Sequence, residues 1–166
     1  MRLNLREIIN IPGKSVPFDF KFDADGLELG SVKSFSAPVS VVGNIMNRAG
    51  VLTVTGKIHA DMECICARCL KEFPFHKDFD MNAYLAEELQ DEDSEETYLL
   101  DGDWADLDEI VTTTIVLNTE QRQLCRPDCK GLCPKCGKDL NDGPCDCRED
   151  QDPRLAVLGQ LLEKKD

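Results

Sequence analysis

Apolar and polar residues alternate with a period of two over much of the first half of the chain, which predicts strands with one buried face. The clearest run places Leu52, Val54, Gly56, Ile58, Ala60, Met62, Cys64 and Cys66 on one face. Val51, Thr53, Thr55, Lys57, His59, Asp61, Glu63 and Ile65 fall on the other. The first set is apolar and the second mostly polar. After a turn the period returns at Phe73, Phe75, Lys77, Phe79, Met81, Ala83 and Leu85. Residues 52–85 therefore predict a long hairpin with Cys66-Ala67-Arg68-Cys69 at its tip. Shorter alternations at Arg2–Arg6, at Ser15–Phe22 through Val16, Phe18, Phe20 and Phe22, and at Pro38–Met46 predict further strands, with a turn at Asn47–Gly50.

The period then changes. Residues 106–119 predict a helix whose acidic first turn, Asp106, Asp108 and Glu109, suits the positive end of the helix dipole. Its expected apolar stripe is Ile110, Thr113, Thr114 and Leu117. A second helix is expected over 152–164. Asp152 is placed to cap it and Pro153 sits at its first position. Leu155, Leu158 and Leu162 share one side, and Lys164 and Lys165 sit at the negative end. The expected fold class is α+β: an antiparallel β-rich sheet or partial barrel, two helices and a C-terminal zinc-binding module. The expected divisions are a β-rich domain at 1–86, an acidic mobile linker at 87–105, a helix at 106–119, a cysteine-rich zinc module at 120–148 and a terminal helix at 152–164.

At 166 residues and 42% hydrophobic content, the chain has enough apolar material for one core. No run approaches the length of a membrane span. The net charge of −13 is concentrated. Between Phe79 and Gln121 there are 14 acids and no Lys or Arg, leaving the rest close to neutral. That segment is either a solvated loop or a docking surface for a basic partner. It does not suit a phosphate backbone, although the neutral and mildly basic parts remain open to RNA.

The chemistry lies in the nine cysteines. Eight form close pairs: Cys66-x2-Cys69, Cys125-x3-Cys129, Cys133-x2-Cys136 and Cys145-x-Cys147. Such spacings on turns rich in Gly and Pro let two sulfurs reach one ion, as in structural zinc sites. An odd cysteine count and a start, Met-Arg-Leu-Asn-Leu, without an apolar signal core point to a reducing cytoplasm, where disulfides are unusual. Cys64 continues the buried face of its strand and is expected to be core. Cys133, Cys136, Cys145 and Cys147 can close one site locally, though Cys145-Asp-Cys147 is tight for two ligands. Cys125 and Cys129 are then free to meet Cys66 and Cys69 at the hairpin tip. A single site with spare thiols is the competing arrangement, so one or two Zn2+ are expected per chain.

No catalytic constellation accompanies these thiols. The two histidines, His59 and His76, fall on the polar face of their strands, and an exposed strand position is expected for both. Phosphate-loop, Gly-x-Ser-x-Gly and His-Glu-x-x-His motifs are missing from the sequence.

Glu63-Cys64-x-Cys66-Ala-Arg-Cys69-Leu70, closing a long strand, resembles the Cys-x-Arg-Cys signature of the YceD family, also named large ribosomal RNA subunit accumulation protein. Cys125-x3-Cys129-Lys-Gly131-Leu132-Cys133-Pro-x-Cys136-Gly137-x-x-Leu140-Asn141 resembles the cysteine-rich form of Gram-positive-type members, and Asp152–Leu158 also fits. The resemblance implies a non-enzymatic role in large-subunit ribosomal RNA accumulation and ribosome biogenesis. The implied partners are ribosomal RNA or a pre-ribosomal particle, with a basic ribosomal protein as a further partner for the acidic segment. Neither a membrane nor a small-molecule substrate is expected. Candidate RNA contacts are Arg68, Lys71, Arg126, Lys130, Lys135 and Lys138, which are otherwise solvated charges on metal-binding turns. The alternative function is a thiol redox or metal-handling protein, which Cys66-x2-Cys69 at the end of a strand disfavours.

Overall fold

The computed structural model describes residues 1–88 and 96–147. Its centre is the expected hairpin. Strands β5 (Val51–Ile65) and β6 (Glu72–Ala86) pair antiparallel along their full length, with Leu52 opposite Leu85, Ile58 opposite Phe79 and Cys64 opposite Phe73. This register sets the two apolar rows side by side, so Val54, Ile58, Ala60, Met62 and Cys64 join Phe79, Met81, Ala83 and Leu85 in one buried core. On the other edge of β5, β4 (Val39–Arg48) pairs with its first part, and β3 (Val32–Phe35) pairs beyond the point where β4 ends. β2 (Ser15–Phe22) adds outside β4. The Phe18 ring lies over Gly43, where a Cβ would stand 2.5 Å from its Cζ and 2.4 Å from the Thr55 carbonyl oxygen. Only glycine lets the ring and backbone approach so closely.

β7 (Thr97–Leu99) joins β6 in parallel, and a separate two-stranded sheet pairs β1 (Arg2–Asn4) with β8 (Trp104–Asp106). Both β7 and β8 draw on residues of the expected 87–105 linker. The mobility expected around Glu87–Glu96 falls mainly on 89–95, outside the described residues. Helix α1 (Leu107–Asn118) follows β8 directly. The Asp106 carboxylate accepts the Asp108 N–H at 3.0 Å and caps it. The helix packs against β6 and β1.

The expected fold class needs correction. Among the described residues the protein is strand-rich with the single helix α1, not two helices, and the second helix expected at 152–164 lies outside those residues. Among the described residues the sheets are open: β2 and β7 end the main strand path without meeting, and the strands form no partial barrel. β7 is parallel, so the sheet is not purely antiparallel. Closure would require a long last strand, and β7 has three residues. The helix stripe also differs. Leu107, Ile110, Val111 and Ile115 are buried, whereas Leu117 is 71% exposed. The Thr114 hydroxyl instead donates to the Ile110 carbonyl within the helix.

Candidate metal centres

At the hairpin tip, β5 ends in the turn Cys66–Leu70. The Cys66 N–H donates to the Lys71 carbonyl at 2.9 Å, and the Leu70 N–H to the Cys66 carbonyl at 3.0 Å. Leu70 takes a positive φ of 59°. The later turn Cys133–Gly137 repeats the pattern: Cys133 N–H donates to the Lys138 carbonyl at 2.8 Å, and Gly137 N–H to the Cys133 carbonyl at 2.9 Å, with Gly137 at φ 73°. Two separate segments thus build the same Cys-x2-Cys-(left-handed residue)-Lys turn. In each, both sulfurs emerge on one side.

The partners arrive from the segment after α1. Ser31 anchors it, donating its hydroxyl to the Gln121 carbonyl at 3.0 Å and accepting the Gln123 N–H at 3.1 Å. The Gln123 carbonyl then accepts from Ala67 N–H in the first turn. This brings Cys125 and Cys129 to the tip. The Sγ atoms of Cys66, Cys69, Cys125 and Cys129 all lie within 4.8 Å of one another. Cys66 to Cys129 is 3.8 Å and Cys69 to Cys125 is 3.7 Å. A sulfur tetrahedron around an ion at the usual zinc–sulfur distance of about 2.3 Å has edges of about 3.8 Å. The donor set therefore fits a four-coordinate ion, and all four thiols are free of disulfides. This inner group is buried by Phe73, Leu124 and Leu132. Phe73 also packs on the sheet core, so the group is continuous with the fold.

The second group is Cys133, Cys136, Cys145 and Cys147, again with all sulfurs within 4.8 Å. The Cys145-x-Cys147 spacing accommodates this. The outer group is more open, with Cys133 buried but Cys136 exposed. Cys64 is fully buried in the apolar core and stands outside both groups.

The protonation chemistry of the two groups is alike. Burial pushes the Cys66 thiol up, but backbone N–H groups of Cys125, Cys69 and Arg68 outweigh it and bring it down to about 6. Burial, then the neighbouring sulfurs of Cys69, Cys66 and Cys129, push Cys125 up to about 12. In the outer group the N–H groups of Cys136 and Lys135, helped by the Cys145 thiol, hold Cys133 at about 6. The Cys136 sulfur and burial push Cys147 up to about 12. Each group thus sets a ready thiolate, Cys66 or Cys133, beside a thiol that keeps its proton, Cys125 or Cys147. Further negative charge in so small a volume requires a cation.

All six basic side chains expected near the cysteines are exposed. Several are engaged within the module. Arg68 donates to the Cys129 carbonyl at 2.8 Å, Lys71 pairs with Asp139 at 2.7 Å, Arg126 lies 3.5 Å from Asp128, and Lys138 donates to the Pro144 carbonyl at 2.7 Å. Lys130 and Lys135 flank the turns. Sequence reasoning assigned no role to Ser31, Asp139 or Asn141, all of which hold the module together. The lysine at the same offset after each Cys-x2-Cys was the legible signal, since Lys71 is what draws in Asp139. On the outer face of the hairpin His76 is exposed and pairs with Asp61, whereas His59, expected to be exposed, is half-buried beside Asp78.

Fold and site together define a strand-rich protein carrying two four-cysteine groups at one end of an open sheet. The chain belongs to the YceD family: residues 54–162 match the family described as Large ribosomal RNA subunit accumulation protein YceD. An uncharacterized Mycobacterium tuberculosis protein is 34% identical over 117 residues, covering 68% of this chain and 56% of its own length. The chain thus spans little more than half of that relative. Bacillus subtilis YlbN is 25% identical over 170 residues, covering 100% of this chain and 99% of its own. The chloroplastic YCED homolog 1 of Arabidopsis thaliana, also called a large ribosomal RNA subunit accumulation protein, is 48% identical over 42 residues, 25% of this chain and 13% of its own. No solved structure matches the chain.

Proposed function

We propose that this protein is a non-enzymatic cytoplasmic factor supporting large-subunit ribosomal RNA accumulation and ribosome biogenesis, stabilised by two structural zinc ions. Cys66, Cys69, Cys125 and Cys129 hold one ion; Cys133, Cys136, Cys145 and Cys147 hold the other. The observation that carries this reading is the pair of four-sulfur groups in a member of a family named for ribosomal RNA accumulation. Four thiolates suit zinc, and four-sulfur ligation closes the coordination shell, leaving no position for a substrate water. The acidic stretch takes a basic partner such as a ribosomal protein. Arg68, Lys71, Arg126, Lys130, Lys135 and Lys138 face ribosomal RNA in a pre-ribosomal particle.

Two measurements test this. Elemental analysis of protein purified in reductant without chelator should give two zinc per chain. Affinity purification from cells should recover large-subunit ribosomal RNA and at least one basic protein, and that yield should drop when Glu87, Glu88, Asp91, Glu92, Asp93, Glu95 and Glu96 are neutralised. Metal-free protein cycling between thiol and disulfide would replace this reading with a thiol redox or metal-handling role. Unchanged recovery from the neutralised variant would reduce the acidic run to a solubilising loop.

A further inference from the structure

The loop that closes the outer group reaches into the inner one. Asn141 stands between Cys136 and Cys145, so its position depends on the outer group. Its Oδ1 accepts the Lys130 N–H at 2.8 Å. That contact fixes the orientation of the amide, because a backbone N–H must face the oxygen. Its Nδ2 therefore turns the other way and donates to the Cys129 Sγ at 3.4 Å and to Asp139 Oδ1 at 2.7 Å. Asp139 in turn accepts the Asn141 backbone N–H at 2.8 Å and pairs with Lys71, which follows the first Cys-x2-Cys turn. Two further contacts tie the loops: Leu132 N–H donates to the Arg68 carbonyl at 3.2 Å, and Leu140 N–H to the Gly131 carbonyl at 2.9 Å.

We propose that the two four-cysteine groups bind metal as a coupled pair, and that Asn141 is the positioning residue that carries the coupling. An N–H donor held against a ligand sulfur stabilises its thiolate and fixes its direction. Metal in the outer group fixes the Gly137–Pro144 loop, and the loop holds that donor against Cys129. By linkage, metal in the inner group fixes Cys129 and Lys71 and so favours the loop that closes the outer group. The inner group, being more buried, is the tighter of the two. The outer group, with Cys136 exposed, exchanges first.

This inference rests on the reading that both groups bind metal. The test uses the full chain, stripped of metal under reductant and titrated with Co2+ alone, whose sulfur charge-transfer absorption reports each centre, with chelator competition for affinity. Two variants separate the roles. Cys133→Ser/Cys136→Ser empties the outer group. Asn141→Asp keeps an oxygen for Lys130 N–H but removes the N–H facing Cys129. Each should weaken inner-group Co2+ binding by about tenfold or more, the usual size of an outer-shell loss around a metal. Asn141→Asp should also shift the charge-transfer band, which a purely structural loop residue would not move. Alkylation of Cys129, read cysteine by cysteine in the metal-loaded chain, should quicken in both. Combining the changes should cost less than their product, because both remove the same contact. Inner-group affinity and band position unchanged in both variants, or costs that multiply, overturn the coupling while leaving two metals per chain intact. A parent chain that takes up neither Co2+ nor Zn2+ overturns the metal reading itself. Should the double cysteine variant fail to fold, Asn141→Asp decides alone.

Discussion

Two residues show how much rests on single side chains. Leu70 occupies in the first cysteine turn the place that Gly137 holds in the second, at φ 59° and 63% exposed. A side chain in that left-handed region costs about 1–2 kcal/mol, and exposed Leu70 has little packing to offset it. Leu70→Gly should therefore raise stability by about 1 kcal/mol in urea unfolding of the metal-loaded protein; a loss would show that the leucine packs more than its exposure implies. Asn47 is the opposite case. It is 1% exposed, its Nδ2 donates to the carbonyls of Ile8 and Ile9 at 2.9 and 2.8 Å, and its Oδ1 accepts the Gly50 N–H at 2.8 Å. One amide thus pins the N-terminal segment to the β4–β5 turn. Asn47→Ala takes the side-chain donor from the Ile9 carbonyl, while the Ile8 carbonyl keeps the Ile11 N–H, and should cost about 1–3 kcal/mol by the same assay. Its place in the turn was legible in the sequence, since Asn-x-x-Gly marks a reversal. Its partners thirty-eight and thirty-nine residues away were not, because periodicity carries no distant contacts.

Element by element, legibility follows the strength of the period. The β5–β6 hairpin was readable because fifteen-residue strands repeat one alternation many times. α1 was located, but its buried side was misjudged. Thr113 and Thr114 blurred the apolar stripe, and the true one runs through Leu107, Val111 and Ile115. Lys77 falls in the otherwise apolar row of β6. Its ammonium in fact donates to the Asn118 carbonyl at 2.7 Å, supplying the basic cap the last turn of α1 lacks. On the outer face, the Asp61 hydrogen bond first, with Asp78 nearby, raises the His76 pKa, and the His59 hydrogen bond first holds the Asp78 carboxyl below its ordinary value. Folding therefore binds the His76 proton more tightly. That contribution is complete below the ordinary imidazole value of about 6.5 and is lost as pH rises through the raised one. Asp78 contributes above about 3.9 and its share is lost as pH falls through the lowered value. Both act together between about pH 4 and 6.5. The urea midpoint of His76→Gln should fall below the parent's in that window, and the gap should close as pH rises well past 7. A gap of equal size at high pH would mean the imidazole acts by packing, not charge.

At the scale of the molecule, the close cysteine pairs that meet in the two four-cysteine groups were legible because their spacing is a local property of sequence. Their dependence on Ser31, Asp139 and Asn141 was not, since those contacts exist only once distant segments meet. The described structure contains two buried clusters: the sheet core, and a smaller one around Cys66, Cys69 and Cys129 that shares Phe73 with it. These clusters should respond differently to loss of metal. The core is built from Ile45, Val54, Ile58, Met81, Ile110, Ile115 and their neighbours, enough apolar surface to hold without a cation. Residues 120–147 bury mainly their own cysteines, Gly131 and Gln123, and contribute no buried Leu, Ile, Val or Phe. With the proposed ions bound, such a segment would draw its stability from them, since the ion contributes about 10 kcal/mol or more to small zinc folds. Chelation under reductant should therefore raise amide exchange sharply across 124–147 and at 66–71, while β4, β5 and β6 stay protected between Val39 and Ile65 and between Phe79 and Leu85. Cys133→Ser should loosen 131–147 first and the hairpin tip less. Collapse of the whole sheet on chelation would show that metal in the four-cysteine groups holds the fold itself, and unchanged exchange at 124–147 would show that no metal holds the segment.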